Sequence, residues 1–162
     1  MSKPFAIGFA CAVVVLVGVV AWILHSHSGN YLEPTGKILQ VRTVALDPSS
    51  ASLVIDFEVT NPSGRDMVVR FINVKVTEPD GSIPDNSMIA ATDLPAMFRY
   101  HTELGPLNLT PMRERDHISP GQTVQRVTAV RYDLTEEQLK QRKGVELEIV
   151  DVTGPKLELA AK

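Results

Sequence analysis

The sequence predicts a mainly β protein: an N-terminal transmembrane helix, then an immunoglobulin-like antiparallel β-sandwich with one short helix. Three observations carry this. Residues 53–60, "LVIDFEVT", place Leu53, Ile55, Phe57 and Val59 on one face, and Asp56, Glu58 and Thr60, with Val54, on the other. A period of two with one polar face marks a half-buried strand, most often antiparallel. Six or seven stretches of strand composition follow one another between Pro, Gly, Asp and Ser turns, without an internal repeat, as in sandwiches. Phe5 to Leu24 contains no charged residue, and as a helix that run would span about 30 Å, the thickness of a hydrocarbon core.

The apolar run divides the chain into a cytoplasmic tail (1–4), an anchor (5–24), a polar linker (25–36) and an extracytoplasmic domain (37–162). Trp22 sits near one end, where interfacial aromatics collect. Lys3 precedes the run, and no Lys or Arg follows until Lys37, so the N-terminus is expected in the cytoplasm and the domain outside. A cleavable signal peptide is the rival reading. It would have a shorter apolar region and a small-x-small site, and "AWILHSHSG" lacks the Ala-x-Ala pattern. Cys11, the one cysteine, lies inside the run, so the domain is stabilised by packing and not by disulfides.

Within the domain, "KILQVRTVAL" (37–46) has the β-branched content of a strand, and "DPSSAS" (47–52) reads as a turn. The strand 53–60 stops at Asn61-Pro62, because proline donates no ladder hydrogen bond and holds the residue before it extended. Gly64 permits the reversal. In "MVVRFINVKVTE" (67–78), Val69 and Phe71 hold one phase and Ile72, Val74 and Val76 the other. Such a phase change predicts a β-bulge. From 83 to 121 the pattern weakens: a short strand is expected in 87–91, and one or two helical turns after Asp93 as N-cap, with Pro95 just inside. Residues 122–133 return to strand composition. "LTEEQLKQRKG" (134–144) carries a capping box, Thr135 with Gln138, with acids in its first turn and bases in its last. Gly144 is placed to end that helix. Val145, Leu147 and Ile149 face inward on the next strand, and "KLELAA" finishes the sheet.

"LVIDFEVTNPSG" (53–64) resembles the strand ending in Asn-Pro of the LEA14/WHy family of immunoglobulin-like domains. "ISPGQT" (118–123) is similar to the Pro-Gly turn before a late strand in those domains and in related exported bacterial ones. The layout as a whole resembles single-pass bacterial membrane proteins. The resemblance implies a sandwich with a non-enzymatic, protective or interaction role, and it brings no catalytic residues with it.

The 16 basic and 19 acidic side chains give a net charge of −3, and all but Lys3 lie after the apolar run. No basic patch of the kind that neutralises phosphates is present, so nucleic acid is not an expected partner. There is no Gly-rich phosphate loop, nucleophile elbow, His-Glu-x-x-His or paired-cysteine motif, and no cofactor is expected. His25 and His27 share a face of an extended linker but fall short of the three or four ligands of a stable site. His101, Asp116, His117 and Ser119 have the composition of a catalytic or metal-binding accessory only if segment 83–117 folds back. "RERD" (113–116) reads first as a solvated face. "MFRY" (97–100) joins residue types enriched at interfaces, though Met97 and Phe98 would equally plug one end of the core.

Two functional readings follow. The first is a membrane-anchored binding or structural module of the cell envelope, not an enzyme. It is held in the lipid bilayer through residues 5–24 and partnered by another envelope protein, with Phe98, Arg99, Tyr100, Arg113 and Arg115 as candidate contacts. The second is an enzyme or metal-binding accessory built on 83–117.

Overall fold

The alternation at 53–60 becomes the central strand of a five-stranded sheet. The structure, a computed structural model, describes residues 13–23 and 32–161. Residues 13–23 are helical (α1), with Val14, Leu16 and Trp22 exposed. No helix among the described residues is long and apolar enough to cross a membrane. The expected 5–24 anchor extends beyond the described residues at both ends, and His25 and His27 lie outside them.

Leu32–Lys162 forms a separate unit. Its strands are β1 (Thr35–Asp47), β2 (Ser50–Thr60), β3 (Met67–Thr77), β4 (Asn86–Met88), β5 (Thr110–Pro111), β6 (His117–Ile118), β7 (Thr123–Tyr132), β8 (Gly144–Asp151) and β9 (Lys156–Ala161). Between β4 and β5 run α2 (Leu94–Tyr100) and a 3-10 turn at Thr102–Leu104; α3 (Glu136–Lys140) joins β7 to β8. One sheet has the order β1-β2-β7-β4, with β5 parallel beside β7; the other has the order β6-β3-β8-β9. All other pairs are antiparallel.

The core lies between the two sheets. Leu53, Ile55, Phe57 and Val59 of β2 meet Val74 and Val76 of β3, Val145, Leu147 and Ile149 of β8, and Leu157 and Leu159 of β9. Each such side chain contributes about 1.5–3 kcal/mol on leaving water. Tyr132 is buried among them, with its hydroxyl donating to the Val74 carbonyl at 3.2 Å, and burial pushes its pKa up to about 12.

Several expectations appear in altered form. The phase change in 67–78 is a register slip, a bulge as expected, but it falls between Val69 and Phe71 and not after Phe71, so Val69 is buried and Phe71, expected in phase with it, is exposed. Thr135 and Gln138 close the capping box in both directions, at 3.3 and 2.9 Å. That helix stops at Lys140, however, and Gly144 opens β8 instead of ending a helix. Asp93 sits at the N-cap of α2 without a side-chain cap bond. Among the described residues there are nine strands, the additional ones being pieces of two or three residues, too short to show a period. β2 begins at Ser50, inside the expected turn, and the Asp47 carboxylate accepts from the Ser49 and Ser50 hydroxyls. The domain takes in Leu32, which is buried in the core, so part of the stretch read as linker belongs to the fold.

Asn61 answers for the Asn-Pro-Ser-Gly turn. It is fully buried. Its amide donates to the Arg65 and Ile118 carbonyls at 2.8 Å each, and its side-chain oxygen accepts from the Ser63 amide and hydroxyl. Its backbone bonds to Gln122 and Gly121. Every polar atom of the residue is satisfied, so two loops are stitched together at one end of the sandwich.

Candidate functional site

The outward-facing residues of the five-stranded sheet are not polar throughout. Val44, Val54, Val127 and Ala129 form a second apolar cluster with Leu94, Met97 and Phe98 of α2 and with Leu104. The segment that looked irregular is thus a third layer laid on the sheet. Its clamp is Arg42 on β1. That guanidinium donates to both oxygens of Asp56 at 2.7 Å and to the Leu104 carbonyl at 2.6 Å. It also lies over the Phe98 ring, 5.1 Å from the centroid. Nη2 serves the carboxylate and Nη1 the carbonyl, so one partly desolvated guanidinium ties β1 and β2 to the 3-10 turn, with more orienting power than a surface ion pair.

The third layer leaves an opening at the sheet edge. β4 comes down along β7 and β5 comes up along the same edge; Ile89 donates to the Ala129 carbonyl and Met112 to the Val127 carbonyl. Where they meet, the chain departs outward at Ala90–Thr92 and returns at Met112–Glu114. These residues, with Met88 and Ile89 and with Ile72 of the facing sheet, line a cleft of about 440 Å³. Its walls are aliphatic and thioether, its lip is made of small alanines, and Arg113 and Glu114 stand at its rim. An apolar concavity with a few polar groups at the edge is the form of most binding sites.

The turn beyond the rim is held firmly. Asp116 accepts from the Arg113 amide at 3.1 Å and gives its own amide to the Arg113 carbonyl, and Arg115 donates to the Val69 carbonyl at 2.6 Å. Arg115 has φ of +65°, a left-handed conformation that costs a side-chain-bearing residue about 1–2 kcal/mol. Glycine would be cheaper there.

The five candidate contacts are therefore divided. Phe98 is 6% exposed and packs in the second cluster, so it is a core residue of the third layer and not a surface contact. Arg99 and Tyr100 are exposed on α2, Tyr100 at 85%. Arg113 lines the cleft and Arg115 lies on the adjoining turn. Arg99 and Tyr100 are not among the cleft's lining residues. His101 lies against Glu103 at 3.3 Å, and Asp116 faces Arg126 at 3.8 Å; neither joins His117. Among the described residues no three His, Cys, Asp or Glu side chains converge as a metal site. A second, polar hollow is lined by Asp85, Asn86, Ser87, Arg131 and Asp133, and Arg131 reaches Asp47 and Asp133 at 3.6 and 3.5 Å.

Sequence reasoning missed Ile72, Met88, Ile89, Met112 and the Arg42–Asp56 clamp. One signal for the clamp was available: an arginine in the middle of an apolar strand, with an aspartate in the middle of the next.

No protein-family model matches the chain, and no curated protein matches it. Among solved structures it is similar to a FixG-related protein from Vibrio parahaemolyticus, with a TM-score of 0.39 and 8% identity over 75% of this chain and 91% of that one. It is also similar to the Iho670 flagellar-like filament, with a TM-score of 0.34 and 12% identity over 98% and 96%.

Proposed function

We propose that this protein is a membrane-anchored binding module of the cell envelope, whose domain, an immunoglobulin-type sandwich, engages another envelope protein through the cleft at the β4–β5 junction. The observation that carries this reading is the cleft itself: a lined apolar opening between two sheets, with Arg113 and Glu114 at its rim. The uncharged run Phe5–Leu24, with Lys3 before it, supports an N-in anchor that holds the domain outside the cytoplasm. Binding residues characteristically sit on loops carried by a rigid sheet, and 89–92 and 112–114 are such loops.

The test uses the full chain in its native membrane, with a photo-reactive residue at Thr92. One discrete protein adduct is expected, lost when Ala91→Trp fills the cleft. An adduct unaffected by Ala91→Trp would remove the cleft from the reading. A reporter active only in the cytoplasm, fused after Lys162, is expected to be silent; activity would overturn the topology.

A further inference from the structure

We infer that the cleft takes an extended polypeptide segment by strand addition to the free edge of β3, an inference that rests on the binding-module reading above. The direction of the β3 backbone groups carries it. Val74 turns its carbonyl away from β8, where it accepts from the Asn86 amide at 2.6 Å and from Tyr132. Backbone groups alternate along a strand, so Ile72 also turns its N–H and C=O away from β8. Thr77 at one end of β3 turns its carbonyl to the β8 side, accepting at 2.7 Å from the amide of Lys143, the residue just before β8, which agrees with that alternation. β6 covers this outer edge only at Met67 and Val68. Beyond them, Val69 is bonded in both directions, to Arg115 and Asp116.

The edge is thus closed below by the Arg113–Asp116 turn and above by Asn86. Between them lies a slot centred on Ile72, and Ile72 lines the cleft. A small apolar molecule would fill the cavity but leave the Ile72 N–H and C=O without partners, a cost of about 1–3 kcal/mol per group once water is excluded. An extended peptide supplies both, and its alternate side chains enter the apolar space. The Val69–Phe71 bulge re-aims the strand at this point, as bulges do beside binding sites. Arg113 and Glu114 at the rim match a segment that is apolar at its centre and flanked by charges of both signs.

The experiment is disulfide tethering on the full chain carrying Cys11→Ser and Thr92→Cys; Cys11 is the only native cysteine. The probes are synthetic peptides Cys-Gly-Val-Ser-Val-Ser-amide, unmodified or N-methylated at one residue at a time, and the readout is the mercaptoethanol concentration that releases half of the adduct. A control chain carries Tyr100→Cys instead of Thr92→Cys. The unmodified peptide is expected to need at least fivefold more reductant at position 92 than at position 100. N-methylation should abolish that difference at every second residue and leave it intact between. Equal resistance of all N-methylated forms would overturn strand addition while leaving the cleft as the binding site. Equal release at positions 92 and 100 would overturn both. A shift of the Ile72 amide resonance on tethering is expected as well, and its absence counts against the inference.

Discussion

The two sheets have opposite outer faces. On the four-stranded sheet, Lys75 reaches Glu146 and Glu148 at 3.4 and 3.7 Å, and Lys156 reaches Glu148 at 3.8 Å and also pairs with Glu158. Apart from the half-enclosed Glu148, the charges of this ladder stand in water. On the five-stranded sheet the corresponding face is apolar and covered around Val44, Val54, Val127 and Ala129, and the Arg42–Asp56 pair beside that cluster is mostly enclosed, with side chains 17% and 13% exposed. The first face is solvated through its own charges. The second recruits some twenty residues of non-repetitive chain as a lid, and the seam where that lid leaves the sheet is the cleft. The difference teaches that ion pairs matter here by position: the same chemistry is nearly idle in one place and fixes a layer in the other.

That contrast can be broken in a graded series. The largest effect is expected from Phe57→Ala in the shared core, a loss of roughly 3–5 kcal/mol, the range for buried phenylalanine; Phe98→Ala in the third layer should approach it. Denaturant unfolding measures both, and a loss below 1 kcal/mol for Phe98→Ala would detach the third layer from the cooperative fold. Next comes Arg42→Ala, which leaves Asp56 enclosed without its partner and frees the Leu104 carbonyl. A loss of about 2–4 kcal/mol is expected, together with faster amide exchange confined to residues 94–104.

A smaller, pH-dependent effect belongs to Asp151. Burial pushes its pKa up, but hydrogen bonds from the Thr153 hydroxyl and amide and from the Val68 amide, with the Arg65 charge, outweigh it and hold the carboxyl below its ordinary value. Its folded pKa is lower than its unfolded one. Its contribution is therefore fully present above the unfolded pKa, near 3.9, and lost as pH falls through the folded value. Asp151→Asn should flatten the acid limb of the stability profile below about pH 4. The smallest effect is expected on the solvated face. Lys75→Ala should change stability by less than about 1 kcal/mol and lose even that in high salt.

Much of this architecture was legible in the chain. The core face of β2, the β3 bulge and the capping box of α3 follow from periodicity and short-range chemistry, because those features are written within a dozen residues. β5 and β6 were not legible, since two-residue strands carry no period. Nor was the role of Asn61: a turn residue and a buried hub look the same until Ile118 and Gln122 arrive from far along the sequence. The apolar phase of Val54 among Asp56, Glu58 and Thr60 looked like an exception, and became intelligible once Leu94, Met97 and Phe98 supplied its cover. Of the candidate contacts, Arg113 and Arg115 stand at or beside the cleft, whereas Phe98 turned inward because its ring backs the Arg42 guanidinium. The same residue types that suit an interface also suit a core, and sequence alone did not separate them.

The central claim is that recognition resides in the cleft and not on the exposed side of α2. The most direct measurement is the photo-adduct yield from Thr92, in native membranes, in two backgrounds with matched thermal midpoints. Ala91→Trp should abolish the adduct, and Arg99→Ala with Tyr100→Ala should leave it unchanged. An adduct that survives Ala91→Trp and disappears with the Arg99 and Tyr100 substitutions would contradict the account.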